Sequence, residues 1–181
     1  MTEGPIARWS QARRRQRAAR DEDFTAFVAA TAHRLRRTAY LLCGDWHLAQ
    51  DLTQTALARM YASWGRVRRS DNLNAYSRRV LINTIFDQRK RRSSGEVVVA
   101  ELPESVERAP DATAELHVTL MRALATLPLR DQAIVVLRYW EDHSVETVAE
   151  ILDVSESVVK TQSARALTRL RVLLGEEFVR T

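Results

Sequence analysis

Cysteine is nearly absent: Cys43 is the only one among 181 residues. A single thiol excludes an internal disulfide framework and fits a reducing compartment. Glycine and proline are scarce, at five and four residues, and runs of β-branched residues are few. That leaves little turn chemistry for a sheet protein and points to helix through most of the chain. No apolar run reaches membrane-spanning length. The first twenty residues are Arg-rich without an apolar centre, unlike a secretory signal. The expectation is a cytoplasmic, all-α protein with no membrane insertion.

Clusters that carry chemistry are lacking too. His33, His47, His117 and His143 are scattered, and no paired carboxylates stand at metal-ligand spacing. Cys43 and His47 are four apart, but Gly44 interrupts any helix between them, and two ligands do not make a zinc site. There is no glycine-rich phosphate loop. The expectation is no metal, no cofactor and no enzymatic activity.

What the chain does have is unevenly placed charge. Residues 1–92 carry 19 basic side chains against 8 acidic ones; residues 93–115 carry one against six; the remainder is close to balanced. A basic front half beside a short acidic stretch points to a polyanionic partner. Nearly all the basic residues are arginine, which a GC-rich genome also explains.

The order of segments follows from apolar periodicity and breaks. Residues 1–20 read as a flexible basic tail. Asp21, Glu22 and Asp23 make an acidic helix entry, and Phe24, Phe27, Val28, Leu35, Ala39 and Leu42 recur at helical spacing up to Gly44. Asp45 is placed to cap a second helix that ends at Gly65. RVRRSDNLN reads as a loop, with Asp71 or Asn72 available to cap the long helix LNAYSRRVLINTIFDQRKRR. Residues 93–113, rich in Ser, Pro and acids, read as a flexible acidic linker whose VVVA run has no evident strand partner. Extended, that linker spans about 70 Å, near two turns of B-DNA at roughly 34–36 Å each. Residues 114–176 return to helix: one ending near Pro128, then LRDQAIVVLRYWEDH, SVETVAEILD and SESVVKTQSARALTRLRVLL. The organisation is two small helical domains, 21–92 and 114–176, joined by a tether.

The last two helices read as a helix-turn-helix. Ala149 is small where the pair must pack closely, Asp153 sits where the turn needs positive φ, and Val159 anchors the second helix. On a helical wheel Val159, Ala166 and Leu170 form the inner side, with Leu167 and Leu174 adjoining. Ser157, Thr161, Arg165 and Thr168 lie opposite, with Val158 nearby and Lys160, Gln162, Arg169 and Arg171 on the flanks. Short hydroxylated side chains, a methyl-bearing Val158 and bidentate Arg or Gln suit a DNA major groove. An ordinary amphipathic hairpin with a solvated face gives a similar pattern. In the first domain Arg79, Asn83, Phe86 and Lys90 share one stripe, a mixture suited to an unstacked single strand. Phe86 fits the core equally well, and the basic end Arg89–Arg92 also complements the helix dipole.

Taken together these motifs resemble the extracytoplasmic-function (group 4) sigma factors of bacterial RNA polymerase, in particular the small actinobacterial type, over about residues 21–175. Ala49, Asp51, Leu52 and Gln54 match the AEDLxQ pattern, with Gln50 in place of Glu. Tyr76, Asn83, Asp87, Arg89 and Arg91 match the spacing of the helix that opens the minus-10 element. LPLRDQAIVVLRYWEDHSVETVAEILDVSESVVKTQSARALTRLR is similar to region 4, with Ser157 and Val158 in place of Gly-Thr, Thr161 for Ser, and Asp153 where Gly is usual. The resemblance implies a promoter-specificity subunit. Asp51 and Gln54 would contact core polymerase at the β′ clamp helices, and the second domain would contact the β flap. Arg68, Arg69, Asn72, Arg79, Asn83, Arg89, Lys90 and Arg91 would contact minus-10 DNA, Asn83 facing a flipped base. Ser157, Val158, Lys160, Thr161, Gln162 and Arg165 would read the minus-35 element. Asp87 is instead expected to pair with a neighbouring Arg. An anti-sigma factor is a further partner that the resemblance brings, though no residue identifies one, and little chain remains for an added C-terminal domain. The rivals are a stand-alone helix-turn-helix regulator, which leaves the basic first domain unexplained, and a nucleic-acid enzyme, which lacks a catalytic constellation.

Overall fold

The structure, a computed structural model, describes residues 5–94 and 112–175. Among the described residues there is no strand. The helices are α1 (Pro5–Cys43), α2 (Trp46–Ala62), α3 (Trp64–Val67), α4 (Leu73–Ser94), α5 (Ala112–Ala125), α6 (Leu129–Val135), α7 (Val145–Leu152) and α8 (Glu156–Leu174), and a π-helical turn, Val136–Trp140, continues α6. The all-helical, two-unit reading holds: α1–α4 form one unit and α5–α8 the other. The linker at 95–111, with its VVVA run, lies outside the described residues.

Local chemistry accounts for most of the breaks. Gly44 takes φ +74, and the Asp45 carboxylate accepts the Leu48 N–H at 2.7 Å, so α1 stops and α2 starts within three residues. Asn72 caps α4 by accepting the Ala75 N–H at 3.0 Å. Ser144 and Ser155 cap α7 and α8 through the N–H groups of Thr147 and Val158. Asp153 ends α7 in the left-handed region at φ 55, as the turn requires.

Three boundaries differ from expectation. α1 does not begin at the acidic triplet; it runs back to Pro5, so the Arg-rich stretch continues a helix already held by its packed half. Gly65 does not end α2, because the chain breaks at Ser63 and restarts as α3. The reason is Trp64: it is buried against Phe24 and Phe27, with ring centroids at 5.0 and 5.1 Å, and its indole N–H donates to Asp23 at 3.2 Å. The helix from Leu129 widens into a π turn in which the Glu141 N–H bonds Val136 O at 3.0 Å. The extra residue per turn leaves Tyr139 and Trp140 exposed and half-buries Glu141, a register shift of the kind π turns produce.

The core of the first unit is closed by small residues. Ala39, Ala49 and Ala56 are fully buried where α1, α2 and α4 approach one another, with Leu52, Leu81, Ile82 and Ile85 filling the remainder. Buried Thr31, Thr53 and Thr84 each return their hydroxyl to the carbonyl four residues back, which satisfies the polar group inside the packing. In the second unit Ala123, Leu124, Leu127, Val135, Ala166 and Leu170 form a separate cluster.

The tethered-unit picture did not include the face between the units. Leu81, Ile82 and Ile85 of the first unit and Ile134, Leu137, Val148 and Ile151 of the second belong to one continuous buried cluster. α7 packs on α4, and α5, α6 and the π turn pack on α1.

Candidate nucleic-acid interface

The expected site residues fall into three surface groups. Asp51 and Gln54 are exposed on α2, three apart and so on one helical face.

The second group follows α3 and α4. Arg68 and Arg69 are exposed just after α3, and Arg68 pairs with Asp23 of α1 at 3.2 Å. Asn72 is exposed, but its side-chain oxygen is engaged as the α4 cap. Asn83, Arg89, Lys90 and Arg91 are exposed on α4. Arg79 is half-buried and reaches the second unit, where it pairs with Asp153 at 3.3 Å. Phe86 is half-buried; with Arg89, Lys90, Ser93, Leu129 and Arg130 it lines an open groove between the units. Asp87 is held by Arg59 at 3.0 Å, the structural pairing expected of it; Arg59 also reaches the Thr84 hydroxyl.

The third group is the first half of α8. Val159, Ser163, Ala166 and Leu170 face inward and are buried. Ser157, Lys160, Thr161 and Arg165 are exposed, and Val158 and Gln162 are half-buried. Lys160 pairs with Glu156 one turn earlier at 3.3 Å, an exposed pair that a phosphate can displace at little cost. The Ser157 hydroxyl lies 2.9 Å from that of the capping Ser155.

The structure brings together a set that the sequence did not mark. Arg78 and Glu141 are an ion pair between α4 and the end of the π turn, with side chains 9% and 8% exposed. The Thr38 hydroxyl donates to Glu141 Oε1, and His143 Nε2 stands 3.4 Å from Oε2. Burial alone would raise the Glu141 pKa, but the adjacent His143 ring, the Thr38 hydroxyl and the Arg78 charge outweigh it and hold the carboxyl below its ordinary value. Gln132 donates to Leu41 O at 2.9 Å, and so satisfies one of the carbonyls left unpaired at the end of α1. Tyr40 stacks on Trp46 at 4.0 Å and on His117 at 5.9 Å. Partners 63 to 103 residues apart leave no local pattern that would single them out.

Two family models match the chain. The first, described as Sigma-70 region 2, covers residues 27–95, and the second, Sigma-70 region 4, covers 117–170. The RNA polymerase sigma-E factor of Streptomyces coelicolor is 41% identical over 152 residues, which is 82% of this chain and 84% of that protein. The ECF RNA polymerase sigma factor SigM of Mycobacterium tuberculosis is 30% identical over 79% of this chain and 71% of its own. Among solved structures, the sigma factor RpoE of Bartonella quintana, in complex with the anti-sigma factor NepR, superposes with a TM-score of 0.69 at 23% identity, covering 88% of this chain and 99% of that one. CnrH, in complex with the cytosolic domain of CnrY, gives 0.59 at 18% identity, over 85% and 88% of the two chains. The two solved structures bear on fold.

Proposed function

The chain belongs to the extracytoplasmic-function group of the sigma-70 family, and we infer from that membership that it is a sigma factor directing promoter-specific transcription initiation by RNA polymerase. The observation that carries the reading is the presence, in one chain and in the family's order, of a region 2 unit and a region 4 unit. A stand-alone regulator would use the second and leave the first without a task.

In this reading residues 21–92 and 114–176 are the working domains, 93–113 the tether and 1–20 a basic extension. Asp51 and Gln54, exposed on α2, dock on the β′ clamp helices. Arg68, Arg69, Arg79, Asn83, Arg89, Lys90 and Arg91 hold the minus-10 strand, while Asn72 shapes the loop by capping α4. Ser157, Val158, Lys160, Thr161, Gln162 and Arg165 face the minus-35 element. The protein acts in the cytoplasm, where polymerase is, and supplies specificity rather than chemistry of its own. An anti-sigma factor is a further proposed partner. Among the described residues no helix is long and apolar enough to cross a membrane.

The test separates the surfaces. Asp51→Ala with Gln54→Ala weakens association with core polymerase in gel filtration. Arg165→Ala leaves that association intact and costs about 1–3 kcal/mol in holoenzyme binding to promoter duplex if it reads a base. Equal losses in both assays from either change would contradict this division of labour.

A further inference from the structure

We propose that the Arg-rich start of α1, around Arg13, Arg14, Arg15 and Arg17, is a binding surface for the phosphate backbone of duplex DNA, engaged without regard to base sequence. The two family matches begin at residues 27 and 117, so neither accounts for this segment, and the inference does not depend on the sigma reading.

α1 outruns the unit it belongs to. α2 runs back along it and ends at Ala62, where Tyr61 meets Arg20 and Asp21. The Arg20 guanidinium lies over the Tyr61 ring at 4.8 Å and donates to the Tyr61 carbonyl, and the Tyr61 hydroxyl donates to Asp21. Residues 5–19 of the helix lie beyond that point, about 22 Å at 1.5 Å per residue, and residues 11–19 are exposed. At 100° per residue Arg13, Arg17, Arg20, Phe24 and Phe27 fall within about 80° of one another. The stripe that packs as Phe24 and Phe27 on Trp64 therefore continues as arginine once the helix leaves the body, and Arg14 and Arg15 project from two other sides. No glycine or proline interrupts α1 after Pro5, so the overhang keeps the direction of the packed half.

The charge there is uncompensated. Residues 4–20 hold six arginines and no acid, and among the described residues Arg13, Arg14, Arg15 and Arg17 are in no ion pair. Two of the three acids that follow are occupied, Asp21 by Tyr61 and Asp23 by Trp64 and Arg68. Chemistry then selects the partner. The exposed run QARRRQRAA has no apolar side chain larger than alanine. A helix that enters a lipid interface needs a bulky apolar face, and one that docks in a protein groove needs apolar anchors at i, i+3, i+4 and i+7. Neither is present. The complement of this cationic rod is a dense row of anions, and arginine's planar fork matches phosphate. With side chains an α-helix is about 10–12 Å across, close to the B-DNA major groove at about 12 Å, and arginines on three sides reach phosphates of both strands. The deep, narrow major groove of duplex RNA does not admit such a helix.

Anisotropy of a labelled random-sequence duplex, titrated with the full chain from about 50 to 200 mM salt, reads the contact. Arg13→Gln with Arg17→Gln places good helix formers at exposed positions. This pair is expected to lower the log–log salt slope by about 0.9 per arginine, about 2 in all, and to weaken low-salt binding several-fold for any sequence. Arg34→Gln with Arg122→Gln, both exposed and away from the overhang, removes the same charge and is expected to leave the slope unchanged. A benzophenone on Ala12→Cys, with Cys43→Ala, is expected to cross-link to the duplex, and one on Ala29→Cys is not. A wild-type slope in the Arg13/Arg17 variant, an equal loss from the Arg34/Arg122 pair, or cross-linking no stronger at residue 12 than at residue 29 would overturn the proposal. So would a chain that holds duplex RNA or phosphatidylglycerol vesicles through the same two arginines more tightly than duplex DNA.

Discussion

Glu141 carries more of the account than any other single residue. It is buried beside one guanidinium, one hydroxyl and one imidazole, and its carboxyl is held below the ordinary value near 4.5. A carboxyl depressed in the folded state contributes stability that is fully present above the unfolded pKa and is lost as pH falls through the folded one. In thermal melts the advantage of wild type over Glu141→Gln should therefore be present above about pH 5 and shrink below about pH 4. Glu141→Leu leaves Arg78 buried without its counter-ion, a loss of about 3–5 kcal/mol, readable as a lower melting temperature. Cys43 is a different case. Burial pushes its thiol up to about 11, so at pH 8 only about one molecule in a thousand is thiolate, the reactive form. Alkylation by iodoacetamide at pH 8 should be slow in the native protein and fast in urea; equal rates would contradict the burial. A buried thiol is the ordinary reading of a lone cysteine on a helix, but the role of Glu141 was not legible in the sequence. Glu141 looks like one more acid at a helix end, and its partners are 63 and 103 residues away.

Elements were more legible than residues, wherever the signal was short-range. The caps at Asp45 and Asn72 and the left-handed Asp153 depend on three or four neighbours, and all three stand as expected. The misses have distant causes. Ser63 breaks α2 because Trp64 must reach Phe24 and Phe27 on α1, and the π turn exists where Glu141 meets α1 and α4. The turn between α7 and α8 makes two predictions. Asp153→Gly keeps the left-handed geometry at no steric cost, whereas Asp153→Val forces a β-branched side chain there at about 1–2 kcal/mol; urea titration ranks the two. Ser155→Ala removes the α8 cap at a cost of ~1 kcal/mol, and should loosen the first turn, where Ser157, Val158 and Lys160 sit. Faster amide exchange at the Val158 N–H would register it.

At the scale of the whole molecule, two helical units and their order along the chain were visible in apolar periodicity, charge distribution and turn residues. The face between them was not, because each helix shows the same amphipathic pattern whether it packs within its own unit or across to the other. Leu137, Val148 and Ile151 read simply as core; which core is a tertiary fact. The exposed site residues were legible in kind, as basic, amide and hydroxyl groups on helix faces. Their present engagements, Arg79 with Asp153 above all, were not. If the two elements are read together only in the holoenzyme, the free chain is expected to bind duplex weakly. What binding there is should fall steeply with salt, by about 0.9 in log–log slope per phosphate contacted, as a filter-binding titration would show. The central claim, that this chain gives RNA polymerase its promoter specificity, is tested most directly by transcription in vitro. Bacterial core polymerase is incubated with sheared genomic DNA, with and without the protein, and the RNA 5′ ends are sequenced. The account predicts discrete new start sites that share two upstream elements at a fixed spacing. No new starts, together with tight sequence-specific duplex binding by the protein alone, would contradict it.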